Sequence, residues 1–304
     1  MIVDCHTHIW DAAQPGKDIE AAFRQALLRS TGGRDARFAG ASIHQLLAAA
    51  KPVDKTFVLA FKSRYLDVEI PNAAVAACVR EYPDKLIGFA GIDPTVVREA
   101  VAEMQKARDE MGLRGVTVSP AAQNFHPADT GAMQVFAEAA RLKLPVLVQQ
   151  GVSVAMAAKM EFARPHLLDE VAREFPTLKI IVAHLGYPWI DECVVLLAKH
   201  PNVFADISAL LSRPWQAYQA LVTAHECGVM DKLLFGSDFP RMSATTCIEA
   251  LYSINQVVQG TALPTVPRQQ LQAIVERDAL PLLGLGPAAP PARPPQRILD
   301  EHEG

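Results

Sequence analysis

The 304-residue chain has no apolar run of about 18 residues or more, so it offers no candidate membrane-spanning helix. It has little excess charge, a net −4, which excludes the strongly basic surface expected of a nucleic-acid or anionic-membrane binder. Its five cysteines (Cys5, Cys78, Cys193, Cys227, Cys247) contain no CxxC pair, and this scatter suits reduced thiols better than a disulfide framework. No GxGxxG follows an apolar strand, which removes the usual signature of a dinucleotide fold. There is no internal repeat and no sign of a second domain. Met1 leads straight into strand-like sequence rather than a basic region and an apolar segment, so the expected location is cytoplasmic.

What is present is a large core and a repeating pattern. Half of the residues are hydrophobic. Continuous apolar runs of strand length recur at 55–61, 86–92, 115–119, 145–149, 179–183, 203–207 and 232–236, and residues 2–5 open the chain with another. Unbroken hydrophobicity over so few residues means burial on both faces, as in a parallel sheet. Helical patterns separate the runs, at about 43–50, 72–82, 95–111, 131–142, 165–175, 189–199 and 216–227, with 244–258 after the last run and a final helix at 267–283 expected to pack outside. About eight βα units predict an α/β fold, a single (β/α)8 TIM barrel with parallel strands, over residues 1–284. A long polar loop at 12–40, placed to act as a lid, and a Pro-rich tail at 285–304 complete the expected organisation. The apolar content and the tail are compatible with a homodimer.

In a barrel, reactive groups collect at the C-terminal ends of the strands. The polar residues there are His6 and His8 on the first strand, Lys62 and Arg64 past the second, and Asp93 after the third. Ser119 follows the fourth, Gln149 and Gln150 end the fifth, and His184 the sixth. Asp206 and Ser208 end the seventh, and Ser237 and Asp238 the eighth. Two histidines at i and i+2 share one face of a strand, and neutral imidazoles suit a transition metal. His6, His8, His184 and Asp238 therefore open on one mouth. The other histidines (His44, His126, His166, His200, His225, His302) fall in helices, loops or the tail, and of these His126 is best placed to reach that mouth.

Asp4-Cys5-His6-Thr7-His8, Ile180-Ile181-Val182-Ala183-His184-Leu185-Gly186 and Leu234-Phe235-Gly236-Ser237-Asp238-Phe239-Pro240, taken in order, resemble the amidohydrolase superfamily. The chain is most similar to its amidohydrolase-2 branch, which includes the aminocarboxymuconate-semialdehyde decarboxylase-like TIM-barrel enzymes. The resemblance covers about 1–284 and takes in Gly112 to Ser119 and Leu144 to Val148. It implies that His6 and His8 ligate one divalent metal, zinc first and manganese second. Asp238 would be a further ligand or the carboxylate that takes the proton of a bound water. His184 would act as general acid/base or as a ligand. The pattern departs at Gln149, where relatives carry a histidine ligand; an amide oxygen is a weaker partner, so metal affinity or preference should shift.

The expected activity is a metal-dependent hydrolase acting on a small carboxylate-bearing or cyclic (amide or lactone) substrate. The alternative is a nonoxidative decarboxylase (a lyase) of an aromatic or muconate-like acid. Gln149 keeps open a metal-independent lactonase or an inactive barrel. Lys62, Arg64 and Arg241 are candidate partners for a substrate carboxylate. Trp10, Phe125, Tyr187 and Trp189 are candidates to line a pocket for a flat ring. The expected partner is a small-molecule substrate, with neither nucleic acid nor membrane.

Overall fold

Among the described residues, ten strands carry the architecture: β1 (Val3–Thr7), β2 (Lys55–Leu59), β3 (Phe61–Ser63), β4 (Val68–Ile70), β5 (Leu86–Gly91), β6 (Gly115–Val118), β7 (Val146–Val148), β8 (Ile180–Val182), β9 (Val203–Asp206) and β10 (Leu233–Leu234). Eight of them form one parallel sheet in the order β1-β2-β5-β6-β7-β8-β9-β10. The computed structural model describes residues 1–10, 41–151 and 157–286. The 12–40 loop and nearly all of the Pro-rich tail lie outside these.

The sheet closes on itself beyond β10. Cys5 N–H donates to Phe235 O (2.9 Å), Asp238 N–H to His6 O (2.9 Å) and His8 N–H to Phe239 O (2.8 Å). The result is the expected (β/α)8 TIM barrel, with helices such as Asn72–Glu81, Val97–Asp109, Thr130–Leu142, Ile190–Lys199 and Pro214–Glu226 outside. Local signals place several of them. Ser42 Oγ accepts from Gln45 N–H while the Gln45 amide oxygen accepts from Ser42 N–H, a reciprocal cap that starts the helix Ile43–Ala49.

Two cores follow from the alternation of strand side chains. Outward residues such as Val58, Ala90, Val116, Val118, Val146 and Val182 pack under the helices. Inward residues (Phe57, Leu59, Ile87, Phe89, Leu147, Ile181, Phe204 and Leu234 among them) fill the barrel. Phe57 and Phe89 stack at 4.7 Å between ring centroids. Gly115 makes room for this pair: a Cβ there would lie 2.3 Å from the Phe89 ring.

Three expectations need correction. The apolar run 55–61 is not one strand. The chain leaves the sheet after Leu59, and Phe61 passes over Gly91 so closely that a Cβ on that glycine would meet the Phe61 backbone at 2.6 Å. Phe61 then begins an antiparallel hairpin, β3 with β4, which lacked any strong turn signature in the sequence. The 165–175 segment begins as a 3₁₀ turn, Pro165–Leu168, before its helix Asp169–Glu174. The final helix breaks after Glu276 at Arg277 and Asp278 into Arg268–Glu276 and Ala279–Leu282. The second piece does not pack outside: Ala279, Leu283 and Leu285 cover the floor of the barrel interior.

Gly115→Ala is expected to push Phe89 off Phe57 and to destabilise the protein by about 1–3 kcal/mol, read as a lowered melting temperature. An unchanged melting temperature would show that the ring yields at no cost.

Candidate active site

The opening strand does not keep strict alternation. Asp4 pairs with Thr56 but Thr7 with Val58, so β1 spends one residue more than β2 over this stretch. This bulge changes which face points inward. Val3 and Cys5 lie in the barrel core, and beyond the bulge His6 and His8 also turn to the interior, above that core. Inward alternation on the other strands carries Leu147 to Gln149, Phe204 to Asp206, and Leu234 through Gly236 to Asp238. Gly236 keeps the space open, since a Cβ there would come within 3.1 Å of the His6 Cβ.

His184 arrives differently. Ala183 takes the inward position of β8, and His184 and Leu185 then adopt left-handed backbone at φ 55° and 48°. Asp238 does the same at φ 57°. Such conformations cost about 1–3 kcal/mol each for non-glycine residues and persist where surroundings over-determine them. Here His184 N–H donates to Asp206 Oδ1 (3.1 Å), and Asp238 N–H to His6 O.

All three rings have a determined tautomer. His6 Nδ1 donates to the Asp206 carboxylate (Oδ2, 2.9 Å), and His8 Nδ1 to the Leu59 carbonyl (3.2 Å). His184 Nδ1 faces the Ser208 carbonyl (3.2 Å) and Ser208 Oγ (2.8 Å), whose own proton goes to Asp206. A carbonyl can only accept, so His184 Nδ1 carries the hydrogen. In its neutral form each ring therefore offers Nε2 as a lone pair, the pattern of imidazoles prepared for a cation. The Nε2 atoms of His6 and His8 are 3.3 Å apart, and the His6 and His184 rings stack at 4.7 Å. Ligand atoms of His6, His184 and Asp238 lie within 4.8 Å of one another. The donor set thus fits one divalent ion, with one dissent. Gln149 Nε2 donates to His6 Nε2 (3.1 Å), so its amide must turn over before Oε1 can serve as the oxygen ligand.

Burial and neighbours tune the groups. Burial disfavours a charged His6, yet Asp206, together with Asp238 and Asp4, outweighs it and raises the net value. Burial, with His6 beside it, holds His8 down at about 4, and burial likewise lowers His184. Asp206 is buried, but His6, His184 and Ser208 bring it down to about 2. Asp4, beneath the site, accepts from Ser237 N–H (2.9 Å), Ser237 Oγ (2.6 Å) and His6 N–H (3.3 Å). Burial nonetheless pushes Asp4 up to about 6.

The structure gathers His6, His8, Gln149, His184, Asp238 and Arg241, whose Nε sits 3.0 Å from Asp238 Oδ2. Tyr187 and Trp189 line the turn after His184, each with a guanidinium over its ring, Arg213 at 5.2 Å and Arg164 at 5.8 Å. Other candidates are placed elsewhere. Lys62 pairs with Glu103 (2.7 Å) and Arg64 with Glu99, so both engage acids of the helix Val97–Asp109 rather than the histidines. Phe125 is buried in the outer core, and Trp10 packs against that core with its backbone paired to Ala41. His126 accepts from Ala128 N–H and meets Phe162 edge-on.

Sequence reasoning gave no role to three residues of this mouth. Asp206 and Ser208 were legible only as polar strand ends, although the inward parity of Phe204 and Asp206 marks the carboxylate. Arg213 sits where no motif pointed, just before the helix Pro214–Glu226. Burial, and then the neighbouring Arg241, lower its pKa, with Tyr187 and Asp238 acting against them.

The amidohydrolase family model matches residues 3–285. This chain belongs to the amidohydrolase family. No curated protein matches the chain in sequence. Among solved structures, the chain is similar to a TIM-barrel protein from Bordetella bronchiseptica (21% identity, TM-score 0.69, covering 93% of this chain and 98% of that one). It is also similar to a probable 2-pyrone-4,6-dicarboxylic acid hydrolase from Acinetobacter baumannii with citric acid bound (16%, TM-score 0.62, 93% and 99%). A third likeness is to 5-carboxyvanillate decarboxylase from Novosphingobium aromaticivorans, complexed with manganese and a hydroxymethoxynitrobenzoic acid (14%, TM-score 0.61, 94% and 96%). At these identities the likenesses establish the fold; the reaction must be argued from the mouth of this amidohydrolase barrel.

Because the Asp4 carboxyl rises from 3.8 to about 6 on folding, ionising it costs stability. That contribution is fully present below about pH 4 and is lost as pH rises through 6, about 3 kcal/mol in all. Asp4→Asn should therefore gain stability relative to wild type as pH climbs through this window, measured as the difference in melting temperature. Parallel curves for the two proteins would rule the assignment out.

Proposed function

We propose that this amidohydrolase hydrolyses a small, carboxylate-bearing cyclic ester or amide at the mouth formed by His6, His8, His184 and Asp238. The observation that carries the reading is the gathering of His6, His184 and Asp238 ligand atoms within 4.8 Å of one another, with His8 Nε2 3.3 Å from His6 Nε2 and the His184 imidazole kept toward its neutral form by burial. A neutral imidazole accepts a proton from attacking water. It is a poor donor to carbon, the step a decarboxylase needs. His6 and His8 would hold one divalent ion, with Asp238 as third partner and the Gln149 oxygen completing the set once its amide turns. A bound ion would lower the pKa of its water and polarise the carbonyl under attack.

The remaining chemistry belongs to the chain's own side chains. Asp238 turns one oxygen toward His6 and helps to orient the attacking water there, while Arg241 holds the other oxygen. His184 Nε2 accepts the proton of that water and, once protonated, returns it to the leaving group. The guanidiniums of Arg241 and Arg213 flank the mouth and suit a substrate carboxylate, with the Tyr187 ring beside it. Zinc and manganese are the preferred candidates; the oxygen donors at Gln149 and Asp238 favour the harder manganese over the zinc that an all-histidine set would select.

Decarboxylation is the second reading, and a specific likeness favours it. The decarboxylase from Novosphingobium aromaticivorans shares the fold over 94% of this chain and is complexed with manganese. The same histidines and carboxylate could hold the departing carboxylate of an aromatic acid.

Product analysis on a panel of carboxylated lactones and aromatic acids separates the two. Ring opening with net proton release is expected, and carbon dioxide release from an aromatic acid would overturn the hydrolase reading. His184→Ala should lower kcat by roughly 10²–10⁴. For a base held below its ordinary 6.5, kcat/KM should fall only as pH drops beneath that value. Metal analysis of protein purified without chelator should find one equivalent, lost in His6→Ala, with Gln149→His binding zinc more tightly than wild type. Turnover unaffected by chelator would instead support the metal-independent lactonase.

A further inference from the structure

One buried carboxylate stands behind two walls of the mouth, and the chemistry proposed above gives it nothing to do. Asp206 ends β9 with no exposure to solvent, and it receives four hydrogen bonds. Oδ2 takes the His6 Nδ1 hydrogen at 2.9 Å. Oδ1 takes the backbone N–H of His184 (3.1 Å), the backbone N–H of Ser208 (3.0 Å) and the Ser208 hydroxyl. The same hydroxyl oxygen then accepts from His184 Nδ1 at 2.8 Å. His6 and Asp206 are 200 positions apart in the chain, so the contact exists only through barrel closure.

We propose that Asp206 is a positioning residue that presents the Nε2 lone pairs of both His6 and His184 to the mouth, directly for His6 and through Ser208 and the left-handed backbone for His184. Two features make this more than a structural ion pair. The two bonds on His6 agree: with Nδ1 as donor, Nε2 must be an acceptor, and Gln149 Nε2 donates to it at 3.1 Å. The two oxygens of Asp206 also divide the work. Oδ1 serves the β8 side, and Oδ2 serves β1 alone, so a change confined to one oxygen separates the two rings.

Asp206→Asn makes that change. Its single amide oxygen is retained on the side of three donors, His184 N–H, Ser208 N–H and the Ser208 hydroxyl. Its NH2 then faces His6 Nδ1. A donor cannot meet a donor, so His6 must move its hydrogen to Nε2, the atom that faces the mouth. Ser208→Ala is the complementary variant. It removes the hydroxyl from His184 Nδ1, leaves only the Ser208 carbonyl as acceptor, and does not touch the Asp206–His6 bond.

The experiment is ¹⁵N NMR of the histidine rings in full-length protein, with metal affinity measured in parallel by equilibrium dialysis against zinc and manganese. Wild type should show His6 and His184 as Nδ1–H tautomers. Asp206→Asn should switch His6 to Nε2–H, keep His184 as in wild type, and weaken metal binding by about 10–100-fold. Ser208→Ala should shift or broaden His184 and leave His6 unchanged. A His6 that stays Nδ1–H in folded Asp206→Asn overturns the proposal. If that variant does not fold, a wild-type spectrum with either ring as Nε2–H overturns it equally. Only the affinity measurement rests on the proposed metal chemistry. Wild type that binds no metal but shows the stated tautomers sinks the metal reading and leaves the positioning role intact.

Discussion

Closure of the parallel sheet is the constraint on which the molecule depends. When β1 hydrogen-bonds to the segment after β10, backbone bonds between Cys5 and Phe235 and between His6 and Asp238 replace two exposed sheet edges. The same closure delivers chemistry. It sets Asp4 against Ser237 across 233 residues of chain and brings Asp238 to 3.8 Å from His6. A carboxylate and an imidazole at opposite ends of the sequence become neighbours because they lie on adjacent strands of a ring.

The barrel interior divides sharply along its axis. Below, Phe57, Phe89, Leu147, Ile181 and Phe204 form an apolar plug, floored by Ala279, Leu283 and Leu285. Above it come His6, His8, Gln149, Asp206 and Asp238. The polar layer is buried yet almost fully bonded, as a low-dielectric interior demands. Left-handed backbone occurs at this layer in His184, Leu185 and Asp238. The bonds that hold those conformations come from β1 and from Asp206, so the site and the closure of the barrel support one another.

Much of this was legible in the chain. Unbroken apolar runs marked the strands, and their alternation with amphipathic segments predicted the barrel. The strand-end rule selected His6, His8, His184 and Asp238 before any coordinates, and Gln149 stood out as the residue unlike its relatives. Lys62, Arg64 and Phe125 show what the strand-end rule leaves open. Position just past a strand says that a residue is near the mouth, not where its side chain finds its best partner. Glu103, Glu99 and the outer core offered those partners, and none of them is adjacent in sequence.

The sequence by itself determined the fold class, the apolar core and the identity of the mouth's histidines and carboxylate, because periodicity and strand-end position are local properties. Tertiary structure alone decided how those residues act. The bulge in β1 turns His6 and His8 inward, contrary to the parity of Val3 and Cys5, and no local pattern encodes an extra residue measured against a partner strand. The tautomers of His6, His8 and His184 depend on Asp206, Leu59 and Ser208, brought up from other strands. A hydrogen bond between distant residues is a property of the closed ring, and only the closed ring shows that one buried carboxylate stands behind two of the histidines.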